Sequence, residues 1–292
     1  MGRCSGLRPI RRPLAVSNVK LRENKAAFSK NGFPGLSVYF TRSTQTPATV
    51  IILGIIPARY ASTRFPAKAL ADIGGKSMIQ RVVEQARQAL SLSRVVVATD
   101  DERIRAHVAG FGGEVVMTSV HHQSGTDRCQ EAVRQLGISA DYVVNIQGDE
   151  PFIQPRQIDL LTSVLDGVTE LATLVKAISD SQTLFDPNSP KVVLSATGEA
   201  LYFSRHPIPY LRGQPTDAWL SARTYYKHIG LYAYRTDILA RITQLPPSSL
   251  EQAESLEQLR WLENGYRIQT VITDLDSHGI DTREDLARVC GL

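Results

Sequence analysis

Three positively charged residues stand within ten positions of one another in the stretch IIPARYASTRFPAKAL. Arg59, Arg64 and Lys68 are five and four residues apart, with almost nothing acidic beside them. Small residues between the cations would let backbone N–H groups approach a ligand, and they include Ala58 and Ser62. Fixed cations and accessible amides together bind polyphosphates well. The stretch predicts a phosphate-binding loop, although a solvated basic turn is the structural alternative.

Carboxylates that could complement a polyphosphate occur in two distant motifs. Asp149 and Glu150 lie in NIQGDEPFI, directly after an apolar run, and Asp281 lies in GIDT near the end of the chain. Magnesium prefers one or two carboxylates together with phosphate oxygens and water. We therefore expect Mg²⁺ to bind at Asp149 and Asp281. The structural alternative is that Asp281 or Thr282 caps the helix that follows.

Two common nucleotide-binding motifs are missing from the sequence. The chain has no GxxxxGK[ST] loop, which disfavours a P-loop nucleotidase. Its one glycine-rich tetrapeptide, GFGG at 110–113, precedes an apolar run where a dinucleotide fingerprint should follow one. The phosphate-binding chemistry must therefore belong to another class of nucleotide-binding protein.

The elements that would position these residues are short apolar runs alternating with amphipathic stretches such as SMIQRVVEQARQAL. Apolar runs buried on both faces are typical of a parallel sheet covered by helices. In the first half, the strands are expected at 50–57, 94–100, 114–118 and 141–147. Ligands of such sheets bind beyond the carboxyl ends of the strands, where the loop after the first strand would lie.

The second half has a less regular pattern but no linker that would separate a domain. Further strands are predicted in LATLVKAI, KVVLSA, ALYFSR, HIGLYAYR and RIQTVIT, and helices in LEQLRWLENG and REDLARV. The prediction is one α/β domain over 50–292 with a strand-rich insertion in its second half. That insertion could pack against the sheet, cover a substrate or pair two subunits.

The charges are distributed unevenly along the chain. Residues 1–49 hold nine Lys or Arg and one acid, whereas residues 50–292 hold 24 Lys or Arg against 28 acids, a formal charge of −4. Nucleic-acid-binding domains concentrate positive charge at their contact surface, so the mildly acidic domain disfavours that class of partner. The pI of about 9.0 reflects the N-terminal extension.

Residues 1–49 form a basic extension, which we expect to be disordered. Their composition allows an organelle-targeting segment, but an unstructured extension is slightly favoured, with the domain in the cytoplasm. The longest apolar run, VIILGII, is far shorter than the roughly 20 residues that a membrane span needs, so no membrane insertion is expected. Three scattered cysteines fit a reducing compartment.

Eight segments resemble the 3-deoxy-manno-octulosonate cytidylyltransferases (CMP-Kdo synthetases). The chain carries, in this order, IIPARYASTRFPAKAL, VVATDDERI, HQSGTDRCQEA, VNIQGDEPFI, ALYFSRHPIPY, YKHIGLYAYR, SLEQLRWLENGYRI and GIDTREDLARV. The resemblance covers residues 50–290. It implies a nucleotide-diphosphosugar-transferase-like fold, with a mostly parallel twisted sheet flanked by helices, in a homodimer. It also implies cytidylyl transfer from CTP to Kdo for lipopolysaccharide synthesis, with Mg²⁺ as cofactor.

The resemblance also implies roles for individual residues. Arg59, Arg64 and Lys68 resemble the catalytic triphosphate clamp, and Asp149 and Asp281 resemble the metal ligands. Further nucleotide-binding positions implied by the resemblance are Ala58, Ser62, Asp100, Gln123, Ser124, Gly125 and Thr126. Positions that match the family's Kdo-contacting segments are Arg205, His228, Tyr232, Glu257 and Gln258.

Each of these residues also has a structural alternative. Glu257 and Gln258 could form an exposed helix face, Tyr232 a core aromatic, and His228 the partner of a backbone carbonyl. Asp100 could simply end a strand or cap a turn. Another acidic-sugar cytidylyltransferase, such as one for sialic acid, and a non-catalytic nucleotide-binding protein of the same fold remain the alternative functions.

The chain departs from the family pattern beside the loop lysine. The family commonly has Pro-Gly-Lys-Pro where this chain has Pro66-Ala67-Lys68-Ala69. We expect changed loop flexibility with the cation retained. Similarly, Arg283 stands where the family often has proline, which suits the first position of a helix but is not required there.

Overall fold

The computed structural model describes residues 50–61, 65–277 and 279–290. Its strands are β1 (Ile52–Ala58), β2 (Asp72–Ile73), β3 (Lys76–Ser77), β4 (Arg94–Thr99), β5 (Val115–Met117), β6 (Tyr142–Asn145), β7 (Leu171–Ala177), β8 (Lys191–Leu194), β9 (Ala200–Ser204), β10 (Tyr226–Arg235) and β11 (Ile268–Ile272). The predicted extension at 1–49 lies outside the described residues, as do the predicted site residues Ser62 and Arg64.

The helices lie between these strands, and most of them follow a strand directly. They are α1 (Met78–Ala86), α2 (Glu102–Gly110), α3 (Gly125–Leu136), α4 (Pro155–Thr162), α5 (Ser181–Phe185), α6 (Trp219–Ala222), α7 (Thr236–Ile242), α8 (Ser249–Glu254), α9 (Gln258–Glu263) and α10 (Arg283–Cys290). Short 3-10 helices occupy Lys68–Leu70 and Thr216–Ala218. None of the helices in the described ranges is long and apolar enough to cross a membrane.

One mixed sheet organises the domain, in the order β11-β7-β10-β6-β1-β4-β5. Strands β6, β1, β4 and β5 are parallel neighbours, so their carboxyl ends meet at one edge of the sheet. The predicted α/β fold with a mostly parallel sheet is confirmed. The predicted first-half strands are confirmed as β1, β4, β5 and β6, with ends that differ by one or two residues.

The strand-rich second half joins the same sheet. Strand β10 runs antiparallel to both β6 and β7, while β11 pairs with β7 in parallel. Strands β8 and β9 pair with each other, and β8 also pairs with the start of β10. These strands extend the sheet through backbone hydrogen bonds, which is different from packing against it, and the roles in covering a substrate or pairing subunits stay predictions.

Alternate residues of β1 enter two separate hydrophobic layers. Ile52 and Ile56 pack with α1 and α4 on one face, whereas Leu53 and Ile55 pack with α3 and α7 on the other. Burial on both faces is why this run is continuously apolar. The sheet is thereby held rigidly between the helices, and its carboxyl edge carries the loops described next.

Candidate active site

A cavity of about 330 Å³ lies at the carboxyl edge of the parallel strands, and we call it the edge cavity. The loops after β1, β5 and β6 supply most of its walls. Its lining residues are Pro57, Ala58, Arg59, Lys68, Ala69, His122, Gln123, Ser124, Gly125, Arg128, Gln147, Gly148, Asp149 and Asp281. Of the nucleotide and metal positions expected from the sequence, those within the described residues line this cavity except Asp100 and Thr126.

Lys68 bridges the two aspartates that come from opposite ends of the domain sequence. Its Nζ lies 2.7 Å from Asp149 Oδ2 and 3.0 Å from Asp281 Oδ1. The Lys68 side chain is only 15% exposed, while those of Asp149 and Asp281 are 32% and 44% exposed. The two carboxylates therefore converge on a single cation within the edge cavity.

Close backbone packing holds these carboxylates at the cavity wall. A Cβ on Gly148 would lie 2.7 Å from the carbonyl oxygen of Pro57, so only glycine permits this approach of the two loops. The backbone N–H of Ile280 donates to the carbonyl of Asp149 at 2.9 Å and joins the two aspartate segments. The turn after β6 is thereby placed beside β1.

Thr282, not Asp281, acts as the cap of α10. The N–H of Asp285 donates to the Thr282 hydroxyl, and the N–H groups of Asp281 and Thr282 donate to the Asp285 carboxylate. The two residues that the sequence left as alternative caps therefore have different roles. The cap leaves the Asp281 carboxylate directed to Lys68.

The residues present fit a divalent cation. Two carboxylate oxygens already lie within 3.0 Å of one ammonium nitrogen, so a positive ion fits between Asp149 and Asp281. The described residues contain no group of three His, Cys, Asp or Glu side chains arranged to hold a metal. Such an ion would need further oxygen ligands from water or from a phosphate.

Glu150 lies beside Asp149 but faces the protein interior. Burial raises the pKa of its carboxyl to about 7, and the Ser277 side chain offsets part of that increase. Of the two adjacent acids in NIQGDEPFI, only Asp149 lines the cavity.

The turn after β5 forms the opposite wall of the edge cavity. Ser124 caps α3 by accepting from the N–H of Asp127, and the Asp127 carboxylate accepts from the N–H of Ser124. A Cβ on Gly125 would lie 3.2 Å from Pro57 Cγ, tighter than most such contacts. Thr126 is buried, and its hydroxyl donates to Glu257 Oε2 at 2.8 Å. The predicted turn therefore has two kinds of contact: Ser124 and Gly125 line the edge cavity, whereas Thr126 is bonded to Glu257.

Asp100 does not line the edge cavity, but it accepts a hydrogen bond from Arg128, which does. Arg128 was not among the residues predicted from the sequence. Arg128 Nη2 donates to Asp100 Oδ2 at 2.8 Å, and Arg128 Nη1 donates to the Thr118 hydroxyl at 2.6 Å. Arg128 lines the cavity and is only 4% exposed. Its position within the first turns of a helix that starts at the carboxyl edge is the signal that could have found it. Gln147 and His122 also line the cavity, and they were not among the residues predicted from the sequence.

Four of the expected sugar-contacting residues form a second site, which we call the polar cluster: His228, Tyr232, Glu257 and Gln258. Tyr232 and Gln258 are 7% and 5% exposed. Gln258 Nε2 and the Tyr232 hydroxyl have no partner at hydrogen-bond geometry among the described residues, although the nearby Thr173 hydroxyl partly offsets the increase that burial causes in the pKa of Tyr232. Buried polar atoms are nearly always hydrogen-bonded in proteins, so these two indicate a place for a polar ligand.

Burial shifts the pKa values of the two titratable side chains, His228 and Glu257, in the polar cluster. Burial lowers the pKa of the His228 imidazole to about 3, so the ring is neutral at pH 7. Its Nε2 lies 3.0 Å from the Thr173 hydroxyl. Burial also raises the pKa of Glu257 above its ordinary value, while the hydroxyls of Thr126 and Ser124 lower it in part. Because Ser124 also lines the edge cavity, the two sites adjoin at this residue.

Arg205 is hydrogen-bonded to the main chain. Its guanidinium donates to the carbonyl oxygens of Pro187, Glu254 and Ser255. These bonds hold the turn between α8 and α9, which immediately precedes Glu257. The structure therefore gives Arg205 a supporting position behind the polar cluster.

A family model described as "Cytidylyltransferase" matches residues 53–268. The 3-deoxy-manno-octulosonate cytidylyltransferase of Cytophaga hutchinsonii is 59% identical over 244 residues, covering 83% of this chain and 97% of that protein. The protein of the same name from Parabacteroides distasonis is 60% identical over 241 residues, covering 81% of this chain and 95% of that protein. The chain belongs to the 3-deoxy-manno-octulosonate cytidylyltransferase family.

Solved structures agree with this membership. A CMP:2-keto-3-deoxy-manno-octonic acid synthetase complexed with CTP is 44% identical with a TM-score of 0.76, covering 82% of this chain and 97% of that one. A 4-diphosphocytidyl-2C-methyl-D-erythritol synthase from Anaerococcus prevotii is 10% identical with a TM-score of 0.54, covering 83% and 98%, which shows the fold alone.

Proposed function

We propose that the chain transfers a cytidylyl group from CTP to 3-deoxy-manno-octulosonate (Kdo) and releases pyrophosphate. The observation that carries this proposal is the convergence of Lys68, Asp149 and Asp281 at one point of the edge cavity. A cation and two carboxylates so placed can hold a metal-loaded triphosphate. The adjoining polar cluster offers buried hydrogen-bonding atoms to a sugar.

In this reaction the anomeric hydroxyl of Kdo attacks the α-phosphorus of CTP. A new oxygen–phosphorus bond forms, the bond from the α-phosphorus to the oxygen bridging it to the β-phosphorus breaks, and the hydroxyl proton is released. Negative charge grows on the departing pyrophosphate, so preorganised cations lower the barrier. Lys68 and Arg59 line the cavity and supply that charge, while Arg64 belongs to the same predicted clamp.

Magnesium is the proposed cofactor, with Asp149 and Asp281 as the residues that would hold it. When bound, the ion supplies positive charge to the phosphate oxygens and can lower the pKa of an attacking hydroxyl. Lys68 forms an ion pair with each carboxylate and so offsets part of their mutual repulsion.

The polar cluster orients the sugar mainly through hydrogen bonds. Tyr232 and Gln258 offer unpartnered polar atoms to hydroxyl groups, and a neutral His228 can serve as donor or acceptor. Precise orientation of the attacking hydroxyl contributes to the rate because it removes an entropic cost at the moment of reaction. Arg205 supports the segment that carries Glu257, and a direct contact to the Kdo carboxylate stays a prediction from the resemblance.

Pyrophosphate release tests the proposal. Purified protein is mixed with CTP, magnesium and a panel of acidic sugars that includes Kdo and sialic acid. We expect release with Kdo at a rate at least about tenfold above that with sialic acid, and no release in EDTA. Preference for sialic acid would assign the other acidic-sugar activity, while tight CTP binding without release would favour the non-catalytic alternative.

Assembly and location form part of the same proposal. On the basis of the resemblance, the active form is a homodimer that works in the cytoplasm and supplies an activated sugar for lipopolysaccharide synthesis. Analytical ultracentrifugation of the purified chain checks the assembly, and a single species at the monomer mass would contradict it. Sequencing the N-terminus of the native protein tests what happens to residues 1–49.

A further inference from the structure

We propose that Thr126 is a positioning residue for Glu257, so that it serves binding of the sugar and not of the nucleotide. The inference rests on the proposed transfer from CTP to Kdo and adds a residue to the sugar side of that reaction. The family resemblance implies a nucleotide role for Thr126, whereas its hydroxyl in the structure is bonded to the polar cluster.

The first observation is where the Thr126 side chain lies. Ser124 and Gly125 line the edge cavity, but the next residue of the same turn does not. Thr126 is only 2% exposed, in the first turn of α3. Its hydroxyl is therefore shielded from a nucleotide in the cavity, and its neighbours on the turn supply the contacts there.

The second observation is the hydrogen bond that joins Thr126 to Glu257 across 131 positions of the chain. Thr126 Oγ1 donates to Glu257 Oε2 at 2.8 Å. A threonine hydroxyl carries one proton, so this bond uses the only side-chain donor that Thr126 has. The Tyr234 hydroxyl lies 3.4 Å from Thr126 Oγ1 and is then the donor of that longer contact. The bond to the carboxylate does not depend on Tyr234.

The third observation is that the donor is rigid and the acceptor is not. Thr126 has a branched Cβ, which restricts its χ1 angle, and the capping box of Ser124 and Asp127 fixes the turn around it. Glu257 directly precedes α9 and has a long side chain with several rotatable bonds. Holding such a side chain in one rotamer has an entropic cost, which a fixed donor offsets. The Thr126 hydroxyl therefore sets where the Glu257 carboxylate points.

Two features place this carboxylate beside the groups that would bind the sugar. Gln258 follows Glu257 directly and carries the buried Nε2 without a described partner. Burial raises the pKa of Tyr232, and the nearby charge of Glu257 adds to that increase. A carboxylate can accept hydrogen bonds from two hydroxyl groups, while Gln258 and Tyr232 can donate. An oriented Glu257 therefore supplies the acceptors that a sugar ring needs.

The experiment removes the Thr126 hydroxyl and measures each substrate separately. Thr126→Val keeps the shape of the side chain, Thr126→Ala is a second variant without the hydroxyl, and Thr126→Ser retains it. The matched control is Thr162→Val, because Thr162 is 7% exposed and its hydroxyl donates to the carbonyl of Asp159 within α4. Pyrophosphate release by the full-length protein with magnesium gives kcat and the KM of CTP and of Kdo. Thermal unfolding checks that each variant is folded.

We expect Thr126→Val and Thr126→Ala to raise the KM for Kdo by about tenfold or more, since losing a hydrogen bond to a charged group weakens binding by about that factor. The KM for CTP should change by less than about twofold, because the hydroxyl does not face the edge cavity. Thr126→Ser should keep the KM for Kdo within about threefold of wild type, because it can still donate to Glu257. Thr162→Val should match wild type.

A double variant distinguishes positioning from packing. Glu257→Ala removes the group that Thr126 positions and should itself raise the KM for Kdo. In that background Thr126→Val should add less than about a twofold increase, because residues that act through one another are not additive. Independent effects would instead multiply, and that result would overturn the proposal.

Three further outcomes of the single variants would overturn it. A higher KM for CTP with an unchanged KM for Kdo would assign Thr126 to the nucleotide. Equal increases in the KM for Kdo in Thr126→Val and Thr126→Ser would assign it to packing. An unchanged KM for Kdo in both variants without the hydroxyl would exclude a role in sugar binding.

Failure of the proposed function has a different signature, namely no pyrophosphate release by wild type with any acidic sugar. Calorimetric titration of wild type and Thr126→Val with Kdo and with CTP then decides the role of Thr126. Weaker binding of Kdo alone would support the inference, and an unchanged affinity for Kdo would overturn it.

Discussion

The edge cavity and the polar cluster handle polar groups in opposite ways. In the edge cavity, charged side chains stay partly exposed and form ion pairs, as Lys68 does with Asp149 and Asp281. In the polar cluster, the groups are buried, His228 is neutral, and Tyr232 and Gln258 carry polar atoms without partners among the described residues. The difference teaches that the first site is built for a charged ligand, which exchanges one ion pair for another. The second is built for a neutral hydrogen-bonding surface such as a sugar ring.

The largest expected effect comes from removing a carboxylate from the edge cavity. Asp149→Asn keeps the shape of the side chain but removes a charge that Lys68 and the proposed metal share, so turnover should fall by more than about a thousandfold. The matched control is Asp274→Asn, since Asp274 is exposed and 4.0 Å from its partner Arg156. Steady-state pyrophosphate release measures both variants. Activity of Asp149→Asn within tenfold of wild type would exclude the proposed metal ligand.

Lys68→Ala tests two proposed roles of the lysine: it stabilises charge during turnover, and it competes with a metal ion for the two aspartates. Turnover should fall by about a hundredfold or more, because one preorganised cation is lost. Binding of Mn²⁺ to the nucleotide-free protein should become tighter, because the ammonium no longer competes for Asp149 and Asp281. Titration of Mn²⁺ followed by electron paramagnetic resonance measures this. Lys76→Ala, which removes an exposed partner of Glu84, is the control. Weaker Mn²⁺ binding in Lys68→Ala would contradict the competition.

Tyr232→Phe and Tyr234→Phe together test whether the Tyr232 hydroxyl serves sugar binding or stability. The variant loses a hydroxyl without a described partner, so stability should hold or rise while KM for Kdo increases by about tenfold. In Tyr234→Phe the lost hydroxyl accepts from Asn145 Nδ2 at 3.3 Å, so stability should fall by about 1 kcal/mol with KM unchanged. Urea unfolding and steady-state kinetics distinguish the two. A loss of stability in both variants with no change in KM would assign Tyr232 to the core.

Acidic pH should lower the stability of the folded protein, because His228 is buried in its neutral form. The pKa of its imidazole is about 3 in the folded protein against 6.5 ordinarily, so the unfolded chain binds more protons and stability falls as pH drops below 6.5. The slope from this group is at most about 1.4 kcal/mol per pH unit. Glu257, with its raised pKa, has the opposite sign and loses its contribution as pH rises. In His228→Asn the acid-side slope should be smaller than in wild type, and an identical slope in urea unfolding would contradict the assignment.

The smallest effect concerns the loop that carries Lys68. Ala67 has a φ of 58°, in the left-handed region that glycine adopts without strain. The family resemblance places glycine at this position. Ala67→Gly should therefore stabilise the domain by up to about 1 kcal/mol, with the KM for the sugar unchanged. Thermal unfolding measures the effect, and destabilisation would contradict the strain.

Local patterns were enough to predict the parts of both sites that lie on single segments. The cations at Arg59 and Lys68 and the carboxylate at Asp149 each follow an apolar run, so their place at the carboxyl edge follows from strand order alone. The helix cap near Asp281 could not be decided that way. Asp281 and Thr282 are chemically equivalent caps in sequence, and only the contact with Lys68 separates them.

Contacts between residues that are distant in the chain could not be predicted from the sequence. Arg128 is one of many charged residues on amphipathic helices, and nothing local shows that it is buried against Asp100 and Thr118. The contact of Arg205 with the sugar stays a prediction, but its hydrogen bonds to three backbone carbonyls are something that no pattern of residue types can reveal.

By itself, the sequence determined the α/β fold class, the family and the identity of the charged groups at the carboxyl edge, because apolar periodicity and short motifs are local properties. Tertiary structure alone decided which acids share a cation, which arginine lines the cavity and which polar atoms lack partners. Those outcomes depend on contacts between segments up to 213 residues apart, and burial is a property of the packed whole.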